Sequence, residues 1–367
     1  MRWAARAGIA GLALGAVATT VAVERLTVSR SVRRQAREAL DAAGPFGTLR
    51  GTPGTAVADD GTELHYEVDE LPEGVGPGGG TVVFCHGYCL NQDVWHYQRA
   101  ALRGRVRAVY WDQRGHGRSA PGRAQRERGE PLHIEQLGRD LRAVLDAAVP
   151  DGPVVLVGHS MGGMTVMALV ERHADYVARR VAGMALLSTS AGDLAQVSYG
   201  FPPSVVRAAR RAAPGVLRVL GAQAELVERG RRAVGDLYAG LIRRYSFGAP
   251  DAVDPAVARF AERLIESVPI DVVAEFYPAF AEHATWGALT TLHTLSEDLP
   301  VLVLGGGRDE ITPVEHSRRI AAALPAAEFV TLPDAGHLVL LEDPAVVTGR
   351  LLALLTRSIG CHGSTAD

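Results

Sequence analysis

The chain has 367 residues, 38 basic and 41 acidic side chains and 47% hydrophobic content, which suits a globular protein with one large core. Every basic residue is Arg, and residues 1–40 carry seven Arg against two Glu, so the remainder is acidic by eight charges. That balance removes any electrostatic ground for binding nucleic acid. Three cysteines, Cys85, Cys89 and Cys361, give no disulfide framework. Cys85 and Cys89 beside one His lack the second ligand pair of a zinc site, and neither a metal nor a cofactor is expected.

Ala7 to Val23 is uncharged and apolar, near the lower length limit for crossing a bilayer. Arg2 and Arg6 precede it; Arg25, Arg30, Arg33, Arg34 and Arg37 follow. Ala16-Val17-Ala18 also fits a signal-peptide cleavage pattern, so an anchor and a secretory signal, residues 1–24, are both open. The apolar run continues past that site and the heavier Arg cluster follows it. The reading therefore favours an uncleaved single-pass membrane anchor with a cytoplasmic body; secretion is the alternative. Residues 25–54 read as a basic stalk and linker. Thr55 to Asp69 reads as a hairpin turning at Asp60-Gly61, followed by a Gly/Pro loop over 72–80.

Strand-like runs at 81–85, 106–112, 153–159, 181–188, 300–305 and 327–332 alternate with helical segments. That alternation is the signature of an α/β fold with a mostly parallel, doubly wound sheet. Residues 191–298, between the fourth and fifth runs, are too long for a crossover and read as an inserted helical cap. The core is then 55–190 plus 299–357, and 358–367 is a disordered tail. No internal repeat is visible, and the sequence is silent on oligomeric state.

Gly158-His159-Ser160-Met161-Gly162 follows the apolar run Pro153 to Val157 and precedes a helical segment. This is the strand, turn and helix context of a G-x-S-x-G nucleophile elbow. The glycines leave room where a β-carbon would clash. A nucleophilic serine needs a base, and the base needs an orienting acid. Asp309 follows the 300–305 run and His337 follows the 327–332 run, each just past a strand's carboxyl end, where open α/β sheets place their sites. Asp334 and, less well, Glu310 rival Asp309 as the acid; Asp309 is preferred because Asp334 is only three residues before the base. An oxyanion hole would use the backbone N–H groups of Tyr88 and Met161, leaving the Tyr88 side chain free to line a pocket.

Together, His86-Gly87, Asp112-Gln113-Arg114-Gly115-His116-Gly117-Arg118-Ser119, Gly158 to Gly163, Gly305 to Asp309 with Pro313, and Gly336-His337 resemble the α/β-hydrolase superfamily over roughly residues 55–357. The resemblance implies the α/β-hydrolase fold with a helical cap and a triad of Ser160, Asp309 and His337. It implies that the Asp112–Ser119 loop is support rather than chemistry. Members that open epoxides or displace halide use Asp at the nucleophile position, so Ser160 points to acyl transfer. The expected activity is hydrolysis of a small-molecule acyl ester or a lipid. A carbon–carbon bond hydrolase or perhydrolase using the same triad, and a ligand-binding protein of the same fold, are the alternatives. Trp95, Phe276 and Trp286 are candidate substrate-binding residues, although aromatics in a cap are more often plain packing. His86, His116 and His159 read as supporting residues, and His96, His283 and His293 as surface, pocket-wall or core residues rather than catalytic groups.

Overall fold

The structure, a computed structural model, describes residues 38, 39, 42, 44–72, 79–197, 244–295 and 299–360. Eight strands form one sheet in the order β1-β2-β4-β3-β5-β6-β7-β8. They are β1 (Thr52–Val57), β2 (Glu63–Asp69), β3 (Thr81–Cys85), β4 (Arg107–Trp111), β5 (Val154–His159), β6 (Val181–Leu187), β7 (Val301–Gly306) and β8 (Glu328–Leu332). β1 and β4 each pair antiparallel with β2; every other neighbouring pair is parallel. β3, β5 and β7 are buried along their whole length, as strands covered on both faces must be.

The helices are α1 (His96–Leu102), α2 (Arg123–Arg128), α3 (Ile134–Ala148), α4 (Met161–Arg172), α5 (Ala174–Arg180), α6 (Pro255–Glu266), α7 (Ile270–Glu282), α8 (Trp286–Leu295), α9 (Val314–Ala323), α10 (Val339–Glu342) and α11 (Pro344–Ile359). Strand alternation divides the core in two. Val83 and Cys85 pack with α3, α4, α8 and α9 on one face. Val82 and Phe84 pack with α1, α6 and α11 on the other. Because β3 to β8 run parallel, the loops after β3, β5, β7 and β8 all leave one edge of the sheet, and that edge carries the site.

Several boundaries differ from the sequence reading. β1 starts at Thr52, and α11 continues to Ile359 with Gly360 as a left-handed cap, so ordered structure extends beyond both expected limits. Of the inserted segment 191–298, residues 198–243 and 296–298 lie outside the described residues. Its last helix, α8, puts Ala288, Leu289 and Leu292 into the same core as α3 and α4. The membrane anchor is corrected: no helix among the described residues is long and apolar enough to cross a membrane. Residues 7–23, on which that expectation rested, lie outside the described residues, as do most of the stalk and residues 361–367.

The loop after β4 is held by charge. The Arg114 guanidinium meets the Asp140 carboxylate of α3 through Nε–Oδ2 and Nη2–Oδ1, both 2.6 Å, with neither side chain exposed. A second carboxylate, Asp60 in the β1–β2 turn, reaches Arg114 Nη1 at 3.0 Å. Removing one partner of a buried pair leaves an uncompensated charge. Asp140→Ala should therefore lose about 3–5 kcal/mol of stability, toward the lower figure because Asp60 remains. Urea unfolding at unchanged m-value measures it; a loss below about 1 kcal/mol, the level of an exposed pair, would show that this one does not hold the loop.

Candidate active site

β5 runs into Ser160, where the chain turns sharply. Ser160 sits at φ 54°, ψ −120°, an unfavourable region for a residue with a side chain. Its surroundings enforce that conformation. Its N–H donates to the Leu187 carbonyl of β6 at 2.9 Å, and its own carbonyl accepts the Gly163 and Met164 N–H groups that open α4. The Thr189 hydroxyl donates to the same carbonyl at 2.6 Å. The turn presses α4 against β3 so closely that a Cβ on Gly162 would overlap the Cys85 carbonyl oxygen.

Two further loops converge on this turn. His337 follows β8, with Nε2 2.9 Å from Ser160 Oγ and Nδ1 2.8 Å from Asp309 Oδ2. Asp309 follows β7, and its Oδ1 accepts the Ile311 and Thr312 N–H groups at 2.8 and 2.9 Å, which aims Oδ2 at the imidazole. A carboxylate only accepts, so it holds the Nδ1–H tautomer and leaves Nε2 to accept from the serine hydroxyl. The Thr312 hydroxyl lies 2.8 Å from the Ser188 carbonyl and 2.9 Å from Asp309 Oδ2; its single proton serves one of them at a time. The rival acids are turned away. Asp334 is 79% exposed and pairs with Arg308, and Glu310 pairs with Arg244 at 2.7 Å.

The His337 backbone is fixed as well. Its N–H donates to the Ser246 carbonyl at 3.0 Å, and its carbonyl accepts from His159 Nε2 at 2.9 Å. Burial pushes the His159 imidazole down to about 3, which keeps it neutral. Sequence reading assigned His159 only a general supporting part and missed Thr312 entirely. An Asp-x-x-Thr spacing just past β7 is the signal that could have found Thr312.

The third loop, His86-Gly87-Tyr88, follows β3 and lies against the serine turn; a Cβ on Gly87 would come within 3.1 Å of Ser160 Cβ. Met161 opens α4, where N–H groups have no intrahelical acceptor. Gln113 ties the two sides together. Its Nε2 donates to the His86 carbonyl at 2.5 Å, and its Oε1 accepts from the Thr165 hydroxyl, itself 2.9 Å from the Met161 carbonyl. His86 Nδ1 donates to the Gly87 carbonyl while Nε2 accepts the Gln113 N–H. His116 Nδ1 donates to the Arg114 carbonyl while Nε2 accepts the Cys89 N–H at 3.2 Å. Burial pushes these imidazoles down to about 4 and about 3. Each stays neutral and can donate and accept at once.

Residues 80–344 match the family described as alpha/beta hydrolase fold. The chain belongs to that family. Among curated proteins it is similar to the dihydrolipoyllysine-residue acetyltransferase component of the acetoin cleaving system of Pseudomonas putida, 27% identical over 284 residues. That match covers 77% of this chain but 65% of the relative, so the chain spans less than two thirds of it. A non-heme haloperoxidase of Rhodococcus erythropolis is 28% identical over 302 residues, covering 81% of this chain and 97% of that one. Among solved structures, a thermophilic esterase from Thermogutta terrifontis aligns with TM-score 0.61 at 25% identity, covering 84% of this chain and 99% of that chain.

The aromatic side chains of this α/β hydrolase sort differently from the sequence reading. Trp95 is fully buried below the site, its ring 5.0 Å from Phe84 and 6.5 Å from His159; the gain from burying a large ring against the sheet sets its place. Trp286 opens α8 under the Arg319 guanidinium of α9, 4.4 Å from its ring. Both belong to the helical layers rather than to the serine turn. Phe276 differs: it packs on Tyr88 and His116 at 5.9 and 4.9 Å in a cluster with Met161 and Met164. The Tyr88 side chain is not free. Its hydroxyl donates to the Val273 carbonyl at 2.7 Å and its ring meets Phe280, so the loop is bound to α7.

The α4–β3 approach gives a direct test. Gly162→Ala should lower stability by about 1–3 kcal/mol, as overpacking does, and should lower turnover, because the added carbon pushes the serine turn away from the His86-Gly87-Tyr88 loop. Denaturant titration and a steady-state assay of the same preparation measure both. A variant matching wild type in each would show that the approach is not tight.

Proposed function

We propose that this protein hydrolyses carboxylic esters through an acyl-enzyme on Ser160. The observation that carries the reading is the continuous relay from Ser160 Oγ to His337 Nε2 and from His337 Nδ1 to Asp309 Oδ2, at 2.9 and 2.8 Å, among three buried residues. His337 takes the hydroxyl proton as Oγ attacks the ester carbonyl carbon. The tetrahedral oxyanion is held by the N–H groups of Tyr88 and Met161, each such donor contributing about 10²–10³ in rate. Collapse breaks the bond to the alkoxide, which leaves with the proton from His337. A water then gives a proton to His337 and attacks the acyl-enzyme. The carboxylic acid departs and the proton returns to Ser160. Asp309 stays ionised throughout and stabilises the transient imidazolium.

The described part of the inserted segment that ends in α7, residues 244–282, acts in this reading as a cap over the carboxyl edge of the sheet. The cluster of Tyr88, Met161, Met164, Phe276 and Phe280 favours an apolar acyl or alcohol group. The similarity to a haloperoxidase supports a second outcome of the same acyl-enzyme: attack by hydrogen peroxide in place of water would release a peracid.

A fluorophosphonate probe should label wild type and not Ser160→Ala; persistent labelling of that variant would identify a different nucleophile. Asp309→Asn should cut kcat by about 10⁴, the loss seen when a triad acid no longer holds its tautomer, while Asp334→Asn should change it little. The reverse ranking would move the acid to position 334. Assaying a p-nitrophenyl ester series of increasing chain length, with and without hydrogen peroxide, reads substrate size and the acceptor. Absence of turnover on every ester would remove the reading.

A further inference from the structure

A second carboxylate, outside the Ser160–His337–Asp309 relay, touches the histidine loop. Glu342 ends α10, and its Oε1 accepts the Gly336 N–H while its Oε2 accepts the Gly248 N–H, both at 2.8 Å. Gly336 immediately precedes His337. Gly248 belongs to the chain inserted between β6 and β7, and two residues before it the Ser246 carbonyl accepts the N–H groups of His337 and Leu338, both at 3.0 Å. The two segments run so close that a Cβ on Gly336 would overlap the Gly248 nitrogen. One carboxylate thus joins the loop that carries the imidazole to the inserted chain.

We infer that Glu342 is a positioning residue for His337, its ionised carboxylate stapling Gly336 to Gly248 and so fixing the imidazole over Ser160. The inference rests on the reading of His337 as the base. An ionised carboxylate accepts strongly at both oxygens, whereas protonation turns one oxygen into a hydroxyl, a poorer acceptor, and weakens one of the two bonds. Burial pushes Glu342 up to about 7; the Gly248 and Gly336 N–H groups and His337 act to lower it, and Asp309 acts to raise it. Tyr97, Asp254, Asp334 and Asp343 line the same cavity of about 450 Å³, so three more acidic groups face it and a proton has a way in. Arg308 is a nearby cation; it lies 3.4 Å from the Gly248 carbonyl and pairs with Asp334. The staple is therefore complete above about pH 7 and loosens as pH falls through that value. Protonation of Glu342 should therefore add a step to the acid side of the kcat profile near that pH.

Glu342→Gln keeps the shape and removes the charge. At pH 8 it should lower kcat by about tenfold or more, the scale on which a sub-ångström misplacement acts, with KM changed less than about twofold, and it should remove the Glu342 step from the acid side of the kcat profile. In wild-type protein labelled with ¹⁵N-glycine, the Gly248 and Gly336 amide resonances should titrate together near pH 7. This needs no variant and holds even if Glu342→Gln does not fold; amides that fail to titrate together would overturn the inference. Wild type active on esters, with a Gln variant matching its kcat and acid limb, would also overturn it while leaving the ester reading intact. Wild type with no Ser160-dependent turnover would remove the ester reading instead, and the two glycine resonances would still decide whether the staple exists.

Discussion

The approach of α4 to the end of β3 is the constraint on which the rest of the site depends. It forces Ser160 into a left-handed conformation, φ 54°, that costs on the order of 1–3 kcal/mol for a residue with a side chain. The cost is met by hydrogen bonds to both sides of the Ser160 peptide, from β6 and from the opening of α4. The same geometry brings the first turn of α4, with its unsatisfied N–H groups and the positive end of its dipole, alongside the loop after β3. A helix set slightly farther from the sheet would relax the serine and separate those backbone donors together.

Neutral imidazoles wire this arrangement. His86, His116 and His159 are all buried, and burial holds each well below the ordinary histidine range. A charged imidazole donates from both nitrogens and would leave a backbone N–H of Gln113 or Cys89 facing another donor. The neutral form donates with one nitrogen and accepts with the other. That lets the loops after β3 and β4 be crossed by short side-chain bridges without burying net charge. Where charge is buried nearby, at Arg114 and Asp140, it is paired bidentately, as the cost of desolvation requires.

The sheet was legible because buried parallel strands are continuous apolar runs, and those runs marked β3 to β8 to within a residue or two of their limits. The positions of Ser160, Asp309 and His337 could be read from chain order, since each follows such a run by a short Gly-containing turn. Orientation was not legible. Asp334 is nearer to His337 in sequence than Asp309 is, yet its side chain points to solvent. Trp95 and Trp286 carry the composition of a pocket wall and the location of core packing, because composition does not say which face of an element a ring occupies. Thr312, Gln113 and Glu342 act on backbone groups far away in sequence, and no periodicity records such partners.

The loop that carries His337 shows how far the inserted chain belongs to the core. A loop must still satisfy its backbone N–H groups when it is buried. For Gly336, His337 and Leu338 the acceptors are Glu342 and the Ser246 carbonyl, and Ser246 lies in the insertion rather than in the sheet. The loop after β8 therefore does not complete its own hydrogen bonding. At the other end of the site, α7 of the same insertion accepts the Tyr88 hydroxyl. All three loops that meet at Ser160 are thus tied to one insertion: the loop after β8 through His337, the loop after β3 through Tyr88, and the loop after β7 through Glu310 and Arg244. Any displacement of the inserted chain is transmitted to both sides of the serine through bonded contacts. Change in that chain, where relatives of one fold are free to differ, therefore acts on the geometry of the reacting groups as well as on the shape of the space above them.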